Sequence, residues 1–206
     1  MHPLLGVFIA YLAGSIPFAY LAGKAKGVDL RQHGSGNLGA TNAMRVLGTR
    51  IGLLVYAADT LKGLLPVISL PRVIETSRPE LWAIAIGVAA IVGHVRPVFL
   101  LGQGGGKGVA TAGGVFFGLA WLPAFVAFLS FVAAVALTRR ISVGSITAAI
   151  VLPVSIMIQR GVSHPLALIC SGIALLVIWL HRGNIRRILD GTEPRINRGS
   201  SSGASA

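Results

Sequence analysis

The chain consists largely of long apolar runs without charge, separated by short basic or glycine-rich segments. Of its 206 residues, 54% are hydrophobic and only 12% are charged. An α-helix needs about 20 consecutive apolar residues to cross the hydrocarbon core of a bilayer. Because backbone polar groups must be satisfied internally in lipid, repeated runs of this kind predict helical spans. We therefore predict an all-α, polytopic membrane protein without a soluble domain.

The apolar runs predict about seven transmembrane helices. Gly108 to Thr138 is too long for one ordinary span, and basic residues stand at both of its ends, so we predict a helical hairpin there. The alternative is a single long helix, which would put the segments before and after it on opposite sides of the membrane. The predicted spans are Pro3 to Gly23, Ile51 to Leu70, Leu81 to Leu101, the hairpin limbs near 109 to 121 and 124 to 138, Ile141 to Ile158, and Pro165 to Leu180.

Basic residues flank these spans unequally. With the N-terminus outside and the C-terminus in the cytoplasm, only Arg72, Arg78 and Arg160 of the 18 Lys and Arg residues fall on the outer side, and Lys62 lies within a span. Cytoplasmic loops of membrane proteins collect Lys and Arg, so this orientation is favoured. It puts the polar segments around residues 34–45, 105–108 and 181–195 on one side of the membrane.

The net charge of +12 indicates an anionic partner. Aromatic residues are few and the basic residues flank apolar spans, which favours membrane lipids and an anionic substrate over nucleic acid. The single cysteine, Cys170, excludes an internal disulfide and a Cys-based zinc site. We predict one membrane domain over residues 1–198 and a disordered tail over 199–206, which lacks the apolar residues needed to order it.

The first polar segment, residues 34–45, is rich in glycine, hydroxyl and amide side chains. Such a loop must lie in water or line a protein cavity, because lipid cannot satisfy its backbone groups. Its donors suit phosphate and polyol oxygens. The alternative is a solvated turn with a helix N-cap at Thr41 or Asn42. The candidate ligand-binding residues are Ser35, Gly36, Asn37, Gly39, Thr41, Asn42 and Arg45.

The second polar segment contains Gly105, Gly106, Lys107 and Gly108. Glycines allow successive backbone N–H groups to turn toward an oxyanion, and Lys107 adds a positive charge. The segment does not match a nucleotide P-loop, because Leu101 occupies the first glycine position and Gly108 the position of the magnesium-binding hydroxyl. A flexible hinge is the alternative. His94, near the end of the preceding run, has structural and functional interpretations of equal weight.

Two further patterns carry polar groups. His181 and Asn184 follow the last apolar run and stand three residues apart, which puts them on one face of a helix. Asp59 and Lys62 have the same spacing inside a predicted span. Ionisable residues within a membrane helix usually pair with each other, so we predict a buried ion pair at Asp59 and Lys62 rather than a substrate contact.

Together these segments resemble the three cytoplasmic motifs of the bacterial acyl-phosphate:glycerol-3-phosphate acyltransferases. The similar residues are Gly34-Ser35-Gly36-Asn37-x-Gly39-Ala40-Thr41-Asn42 with Arg45, Gly93-His94-x-x-Pro97-Val98-Phe99-Leu100 with Gly105-Gly106-Lys107-Gly108-Val109-Ala110-Thr111, and His181-Arg182-x-Asn184-Ile185 with Gly191-Thr192-Glu193-Pro194. Asp59-x-x-Lys62-Gly63 and Ser142-x-x-Ser145-Ile146-Thr147 are also similar to family segments. The chain departs from the family at Gly102-Gln103-Gly104, where relatives carry an aromatic and a basic residue.

The resemblance implies transfer of a fatty acyl group from acyl phosphate to the sn-1 hydroxyl of glycerol 3-phosphate, at the cytoplasmic face of the bacterial inner membrane, without a metal or a cofactor. The partners it implies are acyl phosphate, glycerol 3-phosphate and membrane lipids. Its catalytic assignments are Lys107, His181, Asn184 and Ser35. Its substrate-binding assignments are Gly36, Asn37, Gly39, Thr41, Asn42, Arg45, His94, Gly105, Gly106, Gly108, Thr111 and Ser142, and Glu193 is expected to be a structural partner of a loop arginine.

Several alternatives stay open at the level of sequence. The proton of the attacking hydroxyl can go to neutral His181 or to a phosphate oxygen of the substrate. No enzyme nucleophile is expected, since acyl phosphate is a mixed anhydride and the His-x-x-x-x-Asp pattern of other glycerolipid acyltransferases is absent. A small organophosphate transporter and a lipid-binding subunit are the competing functions.

Overall fold

The computed structural model describes residues 1–196, and these residues form ten α-helices and two short 3₁₀ turns. The prediction of an all-helical protein is confirmed. The predicted disordered tail over 199–206 lies outside the described residues. The helices are α1 (Pro3–Ser15), α2 (Phe18–Ala25), α3 (Ala40–Leu47), α4 (Thr49–Ser69), α5 (Pro79–Val95), α6 (Val109–Leu119), α7 (Trp121–Thr138), α8 (Ile141–Arg160), α9 (Pro165–Leu180) and α10 (Arg182–Leu189).

Apolar helices occupy every segment that the sequence marks as a span. Within residues 1–196, five segments are long and apolar enough to cross a bilayer, and the pair α9 and α10, bent by 55°, makes a sixth if it counts as one span. The remaining apolar helix, α6, is shorter. The long segments are Pro3–Ala25, Thr49–Val73, Pro79–Leu100, Trp121–Thr138 and Ile141–Arg160.

The long apolar run after Lys107 breaks at Ala120, a little before the predicted gap between 121 and 124. Ala120 adopts a non-helical backbone with φ −153° and ψ 72°, which ends α6 and begins α7. Pro123 belongs to the first turn of α7, where the missing N–H would have no intrahelical partner anyway. Proline therefore starts the second helix here instead of separating the two.

The chain folds back at this break. The guanidinium of Arg160, at the end of α8, donates a hydrogen bond of 3.1 Å to the carbonyl of Leu119 and pairs with Glu80 at 2.5 Å. The rings of Phe117 and Phe128 also meet edge to face, with centroids 6.4 Å apart. The turn thus lies beside the end of α8 and the start of α5, and both outer ends of the 109–138 run lie at the opposite end of the bundle. These contacts support the hairpin and contradict a single long helix.

Small residues allow α1 and α5 to pack closely. A Cβ atom at Gly14 would overlap the carbonyl oxygen of Ala90, and one at Gly93 would overlap that of Tyr11. Small residues at helix interfaces are typical of membrane bundles, where close backbone approach replaces a hydrophobic driving force. The contact fixes the C-terminal end of α5, including His94, against the first helix.

Candidate active site

A chain of hydrogen bonds links Lys107, Asn184 and Glu193. The ammonium of Lys107, just before α6, donates to Asn184 Oδ1 in α10. Asn184 Nδ2 in turn donates to Glu193 Oε1 at 2.7 Å. Glu193 also accepts hydrogen bonds from Ser142 Oγ at 2.6 Å and from Arg187 Nε at 2.8 Å. We refer to Lys107, Ser142, Asn184, Arg187 and Glu193 as the Lys107 cluster.

Glu193 is the buried acceptor at the centre of this cluster, with 7% of its surface exposed. The segment that carries it is held beside the start of α8, because the N–H of Ile196 donates to the carbonyl of Arg139 at 2.8 Å. Burial acts to raise the pKa of Glu193, but the hydrogen bonds from Ser142, Asn184 and Arg187 outweigh burial and lower that pKa. The carboxylate is thus ionised and orients Asn184 toward Lys107.

The surroundings of Lys107 lower the pKa of its ammonium. Burial, aided by the positive charges of Arg187 and Arg45 and opposed by Glu193, lowers the pKa of Lys107 to about 8. Near neutral pH the ammonium is charged but incompletely solvated. Such a group gains more than a surface lysine does from an approaching anion, since the anion replaces missing solvation.

His181 lies at the bend between α9 and α10 and is 4% exposed. Its Nδ1 atom is 2.8 Å from the carbonyl oxygen of Val177. A carbonyl only accepts hydrogen bonds, so Nδ1 carries the proton of a neutral ring, and Nε2 has the free lone pair. His181 can therefore accept a proton or a hydrogen bond through Nε2.

The first polar loop is shaped from inside by Asn42. Its amide nitrogen donates to the carbonyls of Leu30 at 3.1 Å and His33 at 3.0 Å, while its oxygen accepts from the N–H of Ser35 at 2.8 Å. Asn42 is buried, and these bonds use both of its donors. The hydroxyls of Ser35 and Thr41 and the side chain of Arg45 are exposed instead. Asn42 thus serves the loop, and its neighbours offer donors to a ligand.

Glycines in both polar loops allow neighbouring parts of the chain to approach the loop backbone closely. Gly36 has a left-handed backbone with φ +70°, and a Cβ at Gly39 would lie 2.8 Å from the Asn37 amide nitrogen. A Cβ at Gly106 would lie 3.0 Å from the carbonyl oxygen of Leu38 and would overlap the ring of His94. The second loop therefore packs between the first loop and the end of α5. The three polar segments meet at one end of the bundle, as predicted.

The free backbone donors differ from the expected ones. The N–H of Gly106 is used within the fold, because it donates to the carbonyl of His94 at 3.2 Å. Gly108 has φ +82° and precedes α6, whose first N–H groups lack intrahelical partners. A helix N-terminus of this kind attracts anions. The start of α6 beside Lys107 is consequently the position whose backbone donors are free for an anion, and Gly105 and Gly106 form the loop that leads to it.

Two predicted substrate-binding residues lie beneath the cluster instead of facing it. Thr111 is fully buried where α6 crosses α4, and its carbonyl lies where a Cβ at Gly63 would be. His94 is 6% exposed and lies 3.6 Å, from Nδ1 to Oδ1, from Asp59. Asp59 pairs with Lys62 at 2.8 Å, which confirms the predicted buried ion pair.

An apolar cavity of about 100 Å³ opens beside the Lys107 cluster, between α4, α6, α7, α8 and α9. Val109, Ser145 and Val177 line one end of it, each within about one helical turn of Lys107, Ser142 and His181 respectively. The cavity continues away from the cluster past Gly113, Phe117, Phe128, Leu152 and Cys170. The Lys107 cluster thus borders an apolar space that extends into the bundle.

Comparisons with known proteins identify the same chemistry. Residues 4–191 match the family model described as glycerol-3-phosphate acyltransferase. The glycerol-3-phosphate acyltransferase of Geotalea daltonii is 47% identical over 186 residues, which cover 89% of this chain and 92% of that protein. The one from Geobacter sulfurreducens is 45% identical over 197 residues, which cover 95% and 98%.

The chain belongs to the glycerol-3-phosphate acyltransferase family.

Solved structures in this family have the same fold. The crystal structure of PlsY (YgiH), an integral membrane glycerol 3-phosphate acyltransferase, in its glycerol 3-phosphate form gives a TM-score of 0.86 at 39% identity, covering 95% of this chain and 96% of that chain. Its lysophosphatidic acid form gives a TM-score of 0.82 at 38% identity, covering 95% of both chains. The expectation of an integral membrane acyltransferase fold is confirmed.

Sequence reasoning missed one member of the Lys107 cluster. Arg187 donates to Glu193 and lies close enough to Lys107 to lower the pKa of its ammonium. The expected arginine partner of Glu193 therefore comes from α10, not from a loop. The spacing contained a signal, since Arg187 follows Asn184 by three residues and shares its helix face. Because Arg186, which is exposed, stands next to Arg187, the sequence did not show which of the two arginines faces Glu193.

Proposed function

We propose that this chain transfers a fatty acyl group from acyl phosphate to the sn-1 hydroxyl of glycerol 3-phosphate, giving lysophosphatidic acid and inorganic phosphate. The observation that carries the proposal is the position of Lys107, which stands at the N-terminus of α6, hydrogen-bonds to Asn184 and borders an apolar cavity. A phosphate head with an acyl tail is the ligand chemistry that fits this pair of sites. The names of the relatives support the acceptor and the product.

The donor binds with its phosphate at the start of α6 and its acyl chain in the cavity. Lys107 and the free N–H groups there stabilise negative charge on the phosphate. That charge grows as the bond between the carbonyl carbon and the phosphate oxygen breaks, so these contacts strengthen toward the transition state. The cavity holds the apolar tail and excludes water from the mixed anhydride.

The acceptor binds between the first loop and α10. Arg45 and the exposed hydroxyls of Ser35 and Thr41 bind the phosphate of glycerol 3-phosphate. In this proposal Asn37 and Asn184 orient the sn-1 hydroxyl toward the carbonyl carbon of the donor. Catalysis then depends on orientation and charge stabilisation.

The hydroxyl proton has two acceptors within this arrangement. His181 Nε2 has a free lone pair in the neutral ring, and the departing phosphate has oxygens of its own. The hydroxyl oxygen forms the new ester bond, the phosphate leaves with the electron pair of the broken bond, and the proton passes to one of these two bases. Either route balances without a metal, a cofactor or an enzyme nucleophile.

The orientation in the membrane follows from the same arrangement. We propose seven crossings in the bacterial inner membrane, with the N-terminus outside and the Lys107 cluster facing the cytoplasm, where both substrates are soluble or made.

Cysteine labelling tests this orientation. The only native cysteine, Cys170, is buried, so labelling of an introduced cysteine can be measured without a background signal. An impermeant maleimide added to intact cells is expected to label Ser77→Cys and to label Gln103→Cys only after permeabilisation, both positions being exposed. The reverse pattern would contradict this orientation.

A direct assay tests the proposed reaction. Purified protein in detergent is incubated with labelled glycerol 3-phosphate and either palmitoyl phosphate or palmitoyl-CoA, and labelled lysophosphatidic acid is measured. We expect product from palmitoyl phosphate and little from palmitoyl-CoA, since nothing in the cluster resembles a nucleotide site. Efficient transfer from palmitoyl-CoA would overturn the proposed donor, and uptake of glycerol 3-phosphate into vesicles without acylation would favour a transporter.

A further inference from the structure

A stripe of exposed side chains runs along α9 and continues onto α10. Its members follow one another by steps of four and three residues, so they share one helix face across the 55° bend between the two helices. The members are Leu168, Gly172, Leu175, Trp179, Arg182, Arg186 and Leu189. The last four, Trp179, Arg182, Arg186 and Leu189, are called the Arg182 patch below.

The α9 part of the stripe has the composition of a lipid-facing surface. Residues 165–180 contain no charged side chain, and Leu175 and Trp179 are 69% and 54% exposed. In an integral membrane fold, the exposed apolar face of such a helix meets acyl chains. Tryptophan is enriched where the hydrocarbon gives way to the headgroups. Trp179, in the last turn of α9, therefore marks the depth at which α10 begins.

The bend keeps α10 close to that depth. Its eight residues span about 12 Å, and the 55° bend reduces their rise along the axis of α9 to about 7 Å. The headgroup layer of one leaflet is about 5 to 7 Å thick. The outer face of α10 thus lies at the level of phospholipid headgroups when α9 crosses the membrane.

The arginines of the patch have guanidinium groups available to an anion. That of Arg182 lies 4.1 Å from the centroid of the Trp179 ring and donates a hydrogen bond of 3.2 Å to the carbonyl of Trp179. Among residues 1–196, no carboxylate forms an ion pair with Arg182 or Arg186. Asp190, just after α10, is the one exposed carboxylate beside these two cations, so the patch stays positive. A guanidinium matches the geometry of phosphate, and exposed Leu189 beside the cations is typical of a helix at a membrane interface.

The opposite face of α10 belongs to the Lys107 cluster. Asn184 Oδ1 accepts a hydrogen bond from Lys107, and Arg187 Nε donates to Glu193 at 2.8 Å. A helix of eight residues is not stable by itself in water, so the contacts on its two faces determine its position. Contacts at the Arg182 patch therefore bear on the position of Asn184.

We propose that the Arg182 patch binds the phosphate groups of anionic phospholipids in the surrounding bilayer, and that this contact holds α10 where Asn184 meets Lys107. Arg182 and Arg186 bind the headgroup phosphates, while Trp179 and Leu189 contact the upper part of the acyl chains. An acidic protein would also attract the arginines, but it would not continue the apolar stripe of α9. The effect on activity rests on the proposed function, whereas the lipid contact itself does not.

Quenching of Trp179 fluorescence measures the lipid contact without any reaction. Of the three tryptophans, Trp82 and Trp121 are replaced by phenylalanine, and the full chain is placed in nanodiscs of equal parts phosphatidylcholine and phosphatidylglycerol. One of the two lipids carries bromine near the carbonyl end of its acyl chains. We expect brominated phosphatidylglycerol to quench Trp179 about twice as strongly as brominated phosphatidylcholine, and this difference to vanish in Arg182→Gln with Arg186→Gln. Equal quenching by the two lipids before the arginines are replaced would overturn the inference.

Acyl transfer measures the consequence for the site. The kcat for palmitoyl phosphate and glycerol 3-phosphate is compared between discs of phosphatidylcholine alone and discs that contain phosphatidylglycerol. Both substrates are saturating, because an anionic bilayer repels anionic substrates and changes their KM. We expect phosphatidylglycerol to raise the kcat of the parent about fivefold and to leave that of Arg182→Gln with Arg186→Gln unchanged. The matched control, Arg72→Gln with Arg78→Gln, removes two exposed arginines before α5 and is expected to keep the full lipid effect.

The remaining outcomes separate the alternatives. A lipid effect on kcat that survives in the patch variant, or a quenching difference without a lipid effect on kcat, would overturn the inference. Equal quenching together with binding of soluble polyglutamate by the parent, but not by the patch variant, would assign the patch to an acidic protein instead. Failure of the proposed function is distinguishable, since it abolishes acyl transfer in every disc and leaves the quenching difference intact.

Discussion

Asn184 Oδ1 accepts a hydrogen bond from the ammonium of Lys107, 77 residues earlier in the chain. The contact joins the loop before α6 to the helix after the last apolar span. Glu193 Oε1 holds the amide nitrogen of Asn184, which fixes its oxygen toward Lys107. The site is therefore assembled by the C-terminal segment, and its parts cannot be changed independently.

The pH dependence of activity is expected to report the proton of Lys107. Its pKa is lowered to about 8, so the ammonium is charged below that pH and loses its charge above it. Because only the charged form attracts the donor phosphate, kcat/KM for acyl phosphate is expected to fall as pH rises through about 8, with the slope of one ionising group. The arginine of Lys107→Arg stays charged over this range. We expect this variant to be less active than the parent, with a kcat/KM that does not fall as pH rises through about 8. A parent profile that stays flat to pH 10 would contradict this account.

Glu193 is expected to matter more than Ser142 for stability. Glu193→Gln leaves the donors of Asn184 and Arg187 poorly matched in a buried site, which costs about 1–3 kcal/mol of unfolding free energy. Ser142→Ala removes one of the donors to Glu193 and costs about 1 kcal/mol. Thermal midpoints in detergent measure both.

Since the pKa of Glu193 is lowered by folding, its contribution to stability is lost as pH falls through that lowered pKa, and the parent and Glu193→Gln midpoints converge in acid. Equal midpoints at neutral pH would argue against this role.

The apolar cavity is expected to select the acyl chain. Gly113 lines it, and a Cβ there would meet nothing within 4 Å, so the side chain of Gly113→Leu is expected to extend into the cavity and reduce its volume. The ratio of kcat/KM for palmitoyl phosphate to that for octanoyl phosphate is expected to fall about tenfold. Gly172→Leu is the matched control, because a Cβ there also meets nothing within 4 Å but the position is exposed on α9. An equal change of this kcat/KM ratio in both variants would show that the cavity does not select the acyl chain.

The apolar helices and the meeting of the polar segments follow from the sequence because charge is expensive in lipid. Charge-free runs predict the apolar helices, and the basic residues between them predict that the polar segments share one side. The pairing of Asp59 with Lys62 follows for the same reason, since three-residue spacing puts both on one helix face. These features depend on local composition and helical periodicity alone.

Other features depend on contacts that no local pattern contains. The backbone break at Ala120 has no glycine or proline at that residue, and Arg160, from α8, binds the freed carbonyl of Leu119. The side chain of Asn42 has the hydrogen-bonding groups of a ligand-binding residue. Its amide nitrogen, however, donates to backbone carbonyls of the loop. His94 belongs to a recognisable motif, yet its position beneath Gly106 arises only from the packing of α5 against the loop.

The most direct measurement is transfer from palmitoyl phosphate to glycerol 3-phosphate by Lys107→Ala. Removal of the charge at the start of α6 is expected to lower kcat by about 100- to 1000-fold, with the thermal midpoint retained. Lys26→Ala, which removes an exposed lysine at the end of α2, is the control and is expected to match the parent protein. Turnover by Lys107→Ala close to that of the parent would contradict the claim that this ammonium stabilises the departing phosphate.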